Sequence, residues 1–269
     1  RDRSPSRGLG DVYKRQQFDQ NFNSQSSYIA KVGQSMGSMY GYIYEGTYKY
    51  EDFNKSGNTY TLKSNVPHYA SEANTQPGMP KYRDLNGDGV IDSNDRTVIG
   101  NGLPKHTGGF TNNFNYRDFD LSIFFQWSYG NDVLNANRLM FESSWNRTRE
   151  LNQYASYAER WTESNPTSNI PRATSSSSNR VFSSRIIEDG SFLRLKTVTL
   201  GYTVPRKMIS RVGIEQLRVY FAAQNLFTIS NYSGYDPEVS IRESALTPGL
   251  DFSAYPRARS FSFGINLGF

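Results

Sequence analysis

The chain has 269 residues, only 36% of them hydrophobic, and a mean hydropathy of −0.68, with no apolar run near the roughly 18 residues of a membrane-spanning helix. The absence of cysteine excludes disulfides, thiolate metal sites and thiol nucleophiles. The formal charge of +5 invites a nucleic-acid reading, but residues 1–16 hold five cations against two anions, so the remainder carries only +2 and no nucleic-acid partner is expected.

In chain order, Asp11-Val-Tyr-Lys-Arg-Gln16 resembles a translated transposon end from sequencing-library preparation. Residues 1–16 are therefore expected to be an artefact and are left out of fold reasoning. The natural chain is read as 17–269, with more sequence expected upstream. A first strand is expected over 39–50, where Tyr40, Tyr42, Tyr44, Tyr48 and Tyr50 share one face and Gly46 interrupts the row. Residues 51–106 are rich in Gly, Pro, Asn and Asp and read as a long loop.

The clearest hairpin follows. Phe110, Phe114 and Tyr116 alternate on its first strand, Arg117-Asp118 makes the turn, and Phe119, Leu121, Ile123, Phe125, Trp127 and Tyr129 alternate on the second. From 130 to 189 the pattern changes to a second long loop, with helix-like material over 133–149 and 154–161. Strands are then expected over 191–202, 216–228 and 258–269. In the first of these, Leu193 and Leu195 fall on one parity and Val198, Leu200 and Tyr202 on the other, so a bulge between them is expected.

The terminal strand alternates strictly. Phe261, Phe263, Ile265, Leu267 and Phe269 share one face, and Ser260, Ser262, Gly264, Asn266 and Gly268 the other. A soluble edge strand rarely ends a chain on an exposed ring, whereas roughly 9–11 residues suffice for one tilted crossing by a barrel strand. Connections also alternate between short and long, as the turns and loops of outer-membrane barrels do. The fold class expected is all-β: the C-terminal portion of an antiparallel transmembrane β-barrel, about six strands of a larger barrel, with long extracellular loops. The competing fold is a secreted, soluble, calcium-dependent binding domain of β-sandwich type, whose aromatic faces would meet a core instead of lipid. A membrane-anchored hydrolase would need a catalytic constellation, and none is found, so no enzyme is expected.

A series of motifs in fixed succession carries a family likeness. Gly87-Asp-Gly-Val-Ile-Asp92, Asp95-Arg96, Ile99-Gly-Asn101, Leu103-Pro104, Thr107-Gly-Gly109 and Phe119-Asp-Leu121 come first. Gly190-Ser-Phe-Leu-Arg-Leu-Lys196, Leu200-Gly-Tyr202, Gln224-Asn-Leu-Phe-Thr228 and Tyr232-Ser-Gly-Tyr-Asp-Pro-Glu238 follow. Over about residues 31–269 the chain resembles the C-terminal third of SusC/RagA-type TonB-dependent outer-membrane transporters. The resemblance implies a 22-stranded barrel in the cell outer membrane that imports large nutrients, oligosaccharides or peptides, beneath a SusD-like surface lipoprotein. It implies contact with the TonB complex through an N-terminal region that has no counterpart in this sequence. The face formed by Phe261, Phe263, Ile265, Leu267 and Phe269 would then serve as the membrane-assembly signal met by the barrel-assembly machinery. If Phe269 ends on the periplasmic side, residues 51–106, 130–190 and 230–257 face outside.

One chemical motif is demanding in its spacing. Asp84, Asn86, Asp88, Asp92 and Asp95 place oxygens at positions 1, 3, 5, 9 and 12 of a twelve-residue calcium loop, with Gly89 at position 6 and the Val90 carbonyl at position 7. Position 12 is Asp where Glu is usual, so Mg²⁺ is an alternative to Ca²⁺ as the cation. The other reading is a turn cluster that satisfies its own backbone. His68 and His106 lack a third ligand at metal spacing. Glu188, Asp189, Asp236 and Glu238 read as solvated loop carboxylates, and not as a glycosidase pair. Trp145, Trp161 and Tyr235 are the candidate substrate contacts in the loops, while Trp127 reads as a membrane-interface anchor.

Overall fold

The computed structural model describes residues 15–19, 26–69, 71–143, 152–174, 181–210, 213–241 and 244–269. Side chains are described from residue 27 onward. The expected artefact therefore lies outside the described residues up to residue 14, and Arg15 and Gln16 pair with Lys31 and Ala30 in a first strand. The chain divides into two compact units.

The first unit comprises residues up to Leu103 together with Asp132–Glu188 and Ser240–Ala254. It begins with β1 (Arg15–Asp19), β2 (Ser26–Lys31), β3 (Ser38–Gly41), β4 (Tyr44–Thr47), β5 (Phe53–Ser56) and β6 (Thr59–Leu62). It continues with β7 (His68–Tyr69), β8 (Pro80–Tyr82), β9 (Val90–Ile91) and β10 (Thr97–Asn101). Beyond residue 103 come β11 (His106–Tyr116), β12 (Phe119–Tyr129), β13 (Asp132–Asn135), β14 (Ile187–Asp189), β15 (Phe192–Thr203), β16 (Gln216–Ser230), β17 (Leu250–Asp251) and β18 (Ser260–Gly268). Small sheets fill the first unit: the order β1-β2-β3-β10, the pairs β4-β8, β5-β6 and β7-β9, and the order β14-β13-β17. The expected loop over 51–106 is thus a succession of short strands. Of the expected helix-like span 133–149, residues 144–149 lie outside the described residues; the rest includes most of strand β13 and a one-turn helix over Asn137–Phe141, and Ala155–Glu159 is a 3-10 turn.

The tyrosine row of 39–50 does not form a strand of the large sheet. It is cut into β3 and β4, with Gly46 at φ +106°, and in the first unit its Tyr40, Tyr42 and Tyr48 rings are buried while Tyr44 and Tyr50 are half-buried. Tyr42 packs with Tyr82, Ile91 and Val181, and Tyr48 with Phe53 and Leu62. A buried phenol needs a partner for its hydroxyl. Tyr28 donates to the Pro248 carbonyl at 2.9 Å, Tyr44 to Asn169 at 2.6 Å and Tyr48 to Pro67 at 2.7 Å. The main apolar cluster lies nearby in the same unit, around Tyr28, Met39, Leu134, Leu139, Phe182, Ile186 and Leu250.

The second unit is Pro104–Asn131, Asp189–Val239 and Tyr255–Phe269. It holds one sheet in the order β11-β12-β15-β16-β18, antiparallel throughout. Five strands stand where about six were expected, because the tyrosine row belongs elsewhere. Short connections join the strands at one end: Arg117-Asp118, with Arg117 at φ +54°, and residues 204–215, which include a helical turn over Arg206–Ile209. Long excursions join them at the other, between Tyr129 and Phe192 and between Ser230 and Ser260.

The expected bulge is present. Register shifts between Phe124/Phe125 and between Leu195/Thr197 set Lys196 out of the ladder. Phe125 faces Leu195 and Trp127 faces Leu193, while Ile123 faces Val198 and Leu121 faces Leu200. One extra residue thereby brings both halves of β15 onto one face. That face runs across the sheet from Phe110 and Phe114 to Phe263 and Ile265.

The other face is polar. Asp120 of β12 and Arg218 of β16 meet there across the intervening β15, with Nε to Oδ1 at 2.9 Å and Nη2 to Oδ2 at 2.5 Å. Gly201 makes room for them, since a Cβ at 201 would come within 2.4 Å of both the guanidinium and the carboxylate.

Candidate functional site

The expected cation loop lies in the first unit between β8 and β10, anchored by the parallel pairing of β9 with β7. Two glycines at positive φ, Gly87 at +77° and Gly89 at +83°, turn its backbone inward. Asp84 then accepts from the Gly87 N–H at 2.6 Å and the Gly89 N–H at 2.8 Å. Asn86 accepts from the Asp88 N–H, and Asp88 from the Val90 N–H and the Asn86 amide. Asp92 accepts from Asn94. Asp95, 0% exposed, closes the loop by accepting from the Leu85 and Asp92 N–H groups, each at 2.8 Å.

The Gly89 N–H holds the Asp84 carboxyl below the usual carboxylate range, opposed by desolvation and assisted by the N–H groups of Gly87, Asn86 and Asp88. Each side chain at a motif position is therefore committed to a backbone amide, as in a self-satisfied turn cluster. Among the described residues, no three His, Asp or Glu side chains are grouped so as to hold a metal ion. In this arrangement the side-chain oxygens at the motif positions accept from the loop's own backbone amides.

The candidate substrate contacts fall on different parts of the chain. Trp145 lies outside the described residues. Trp161, in the first unit, is 4% exposed; its ring lies against Gly78, where an added Cβ would approach it within 2.3 Å, and beneath the Arg172 guanidinium. Tyr235, in the second unit, is 86% exposed on the segment after β16. Trp127, on the apolar face, donates from Nε1 to His106 Nδ1 at 3.0 Å.

The loop carboxylates are engaged. Glu188 accepts from the Asn135 amide and pairs with Arg138, and Asp189 accepts from the Ser191 N–H. Asp236 and Glu238 converge with Arg194, Lys196 and Arg257 of the second unit. Sequence reasoning missed this cluster, although a cation between Leu193 and Leu195 was a signal that a partner must exist. Carboxylates so paired are held as acceptors and are not poised as a general acid and base.

The apolar face of the second unit is extensively exposed. Phe263 is 84% exposed, Ile265 65% and Phe269 83%, and Phe110, Phe114, Phe119, Leu200 and Phe227 are exposed beside them. So large a contiguous apolar surface marks contact with a membrane or another molecule. A β-sandwich would cover it with a second sheet; among the described residues none does so.

No family model matches the chain. It is similar to TonB-dependent receptor P3 of Formosa agariphila, 33% identical over 253 residues, which span 92% of this chain and 24% of that protein. It is similar to TonB-dependent receptor P26 of the same organism, 37% identical over 71% of this chain and 20% of that protein. TonB-dependent receptor SusC of Bacteroides thetaiotaomicron is 30% identical over 74% of this chain and 18% of its own length. Among solved structures, the RagAB peptide transporter superposes with a TM-score of 0.69 at 22% identity, over 95% of this chain and 24% of that chain, a likeness of fold. The chain thus spans about a quarter of the length of the first of these relatives. The five-stranded sheet, apolar outward and polar on its other face, is a portion of a transmembrane β-barrel, and with relatives at 30–37% identity over most of its length the chain belongs to the SusC/RagA family of TonB-dependent receptors.

Proposed function

We propose that the protein to which this chain belongs is an outer-membrane transporter that imports large nutrients, oligosaccharides or peptides, by TonB-dependent uptake beneath a SusD-like surface lipoprotein. The observation that carries this reading is the exposed apolar face from Phe110 to Phe269, backed by a polar face that includes Asp120 and Arg218. Such a two-faced antiparallel sheet suits lipid on one side and a wet or filled lumen on the other. The family named above supports the setting. Residues 17–269 would contribute part of the barrel, and the barrel-assembly machinery would insert it, with the face ending at Phe269 as the signal. Long segments leaving the sheet beyond Tyr129 and Ser230 would face outside, where a lid partner and substrate arrive. Trp145, Trp161 and Tyr235 remain the proposed substrate contacts in those segments.

We propose also that the loop from Asp84 to Asp95 takes Ca²⁺ or Mg²⁺, with Asp84, Asn86, Asp88, the Val90 carbonyl, Asp92 and Asp95 as oxygen donors. The spacing of these donors and the ionised Asp84 carboxyl support it. Each of these oxygens has a second lone pair, so accepting a backbone amide is compatible with ligating the cation. The cation's role would be to order the loop, with no part in chemistry.

The importer reading is tested in the native host. Deleting the gene should abolish growth on one polymeric nutrient while growth on its monomer persists, and the protein should fractionate with the outer membrane. Recovery in the soluble secreted fraction would overturn the proposal and favour the sandwich alternative.

A further inference from the structure

The first unit contains a pocket of about 390 Å³ whose lining includes Trp161, one of the candidate substrate contacts. Its size lies near the lower end of the ~300–1,000 Å³ typical of small-molecule sites. The β5-β6 hairpin forms one wall. Gly57, at φ +59°, turns the chain so that Asn58, Thr59 and Tyr60 follow in sequence along the rim. Gln76 and the segment carrying Trp161, Glu163 and Arg172 form the opposite wall.

Three rings build the floor. Tyr50 lies 5.2 Å from Tyr60 at a 38° tilt and 5.6 Å from Trp161 at 57°. The Arg172 guanidinium is fixed 5.4 Å over the Trp161 ring and donates to the Pro77 carbonyl at 3.1 Å, so the floor is stiffened from the side. Desolvation raises the Tyr50 hydroxyl above its ordinary value; Tyr60 and Glu163 add to this, while Arg172 and Lys55 oppose it. One anion, Glu163, and two cations, Arg172 and Lys55, therefore act on the same phenol, and of the three only Glu163 and Arg172 line the pocket.

These groups share a chemical preference. The half-buried rings of Tyr50 and Tyr60 take the C–H face of a pyranose, with the buried Trp161 ring packed against Tyr50. Side-chain amides and a hydroxyl, here Asn58, Gln76 and Thr59, pair with its hydroxyls in both senses. The opposed charges of Glu163 and Arg172 leave no net field to select an ionic ligand, and a charged one would meet a like charge on one side. We propose that this pocket is a binding subsite for a terminal sugar of a neutral oligosaccharide. The inference rests on the importer reading for its setting and adds to it a ligand class and an address.

The test uses the full-length protein in detergent and calorimetry with two panels: neutral gluco-, manno-, galacto- and xylo-hexasaccharides, and mixed-sequence hexapeptides. At least one saccharide should bind saturably. Asn58→Ala and Gln76→Ala, both on exposed residues that cost the fold little, should each weaken it at least tenfold. Tyr60→Ala should abolish it, with the band shift of the heat-stable barrel unchanged. No saccharide binding, binding indifferent to Asn58→Ala and Gln76→Ala, or binding of the hexapeptides alone would each overturn the proposal. Nutrient uptake by cells carrying the same variants separates the two claims. Uptake with a silent pocket sinks the subsite and spares the importer, whereas absence from the outer membrane sinks the importer whatever the pocket binds.

Discussion

Arg194 of β15 and Asp236 of the segment after β16 form a buried ion pair, Nη2 to Oδ1 at 2.5 Å, although 42 residues separate them. Glu238 lies 3.1 Å from the other guanidinium nitrogen. The Arg257 N–H donates to Asp236 Oδ2 at 3.1 Å, and the Arg257 side chain lies 3.0 Å from Glu238. One strand cation therefore fastens the 231–239 segment and the approach to β18 to the same point.

Removing one partner of a buried pair costs about 3–5 kcal/mol, because the remaining charge is left uncompensated. Asp236→Ala should fall near the low end, since Glu238 still faces Arg194. Hydrogen exchange should show residues 231–239 losing protection while β16 keeps its own. Unchanged exchange in that segment would refute the fastening role.

The same pair predicts a pH dependence. Burial acts most strongly on Asp236 and pushes its carboxyl up. The Glu238 and Arg257 N–H groups and the Arg194 guanidinium together outweigh it and hold the carboxyl below its ordinary value. A folded value below the unfolded one, about 3.9, means that the opened segment binds more protons as pH falls through that window. The stabilisation is then fully present above about pH 4 and is lost as pH drops toward the folded value. The protection factors of 231–239, corrected for intrinsic exchange, should fall below pH 4 in the parent protein and show no such step in Asp236→Asn.

Facing makes a third prediction. Within the full-length protein, Phe125→Arg and Ile265→Arg should each destabilise the barrel by about 2–4 kcal/mol if they lie near the bilayer midplane. Ser122→Arg, on the polar face, should be milder. Urea unfolding from lipid vesicles measures all three, and equal tolerance would contradict the assignment of faces.

A fourth concerns the Asp84–Asp95 loop. Calorimetry with Ca²⁺ and Mg²⁺ on the full-length protein should give saturable binding that Asp84→Ala and Asp88→Ala abolish, with strand content unchanged by circular dichroism. Absence of binding at millimolar cation would leave the loop as the hydrogen-bonded turn cluster built on Gly87 and Gly89.

Much of the second unit was legible in the sequence, because each strand there has one apolar face and one largely polar face. Phe119 to Tyr129 alternates for that reason, and the parity break between Leu195 and Val198 encoded the bulge at Lys196. The tyrosine row was misleading for the converse reason. A period of two reports which side chains share a face, not whether lipid or protein covers it, and Tyr42 and Tyr48 are covered by protein. Residues 51–106 hid their strands because each is only two to five residues long, too short for periodicity to register. The Arg194–Asp236 pair and the pocket beside Tyr50 and Trp161 depend on contacts between distant segments, which local pattern does not encode.

The central claim is that the face carrying Phe263 and Ile265 meets lipid while its neighbours do not. The absence of cysteine from this chain allows single cysteines to be introduced along β18 in a full-length background freed of any others. Phe263→Cys and Ile265→Cys, reconstituted in vesicles and labelled with a fluorophore, should be quenched by doxyl lipids and protected from a water-soluble maleimide. Ser262→Cys and Asn266→Cys should show the reverse, so that accessibility alternates with a period of two along the strand. A strand that reacts uniformly, or alternates in the opposite phase, would contradict the account.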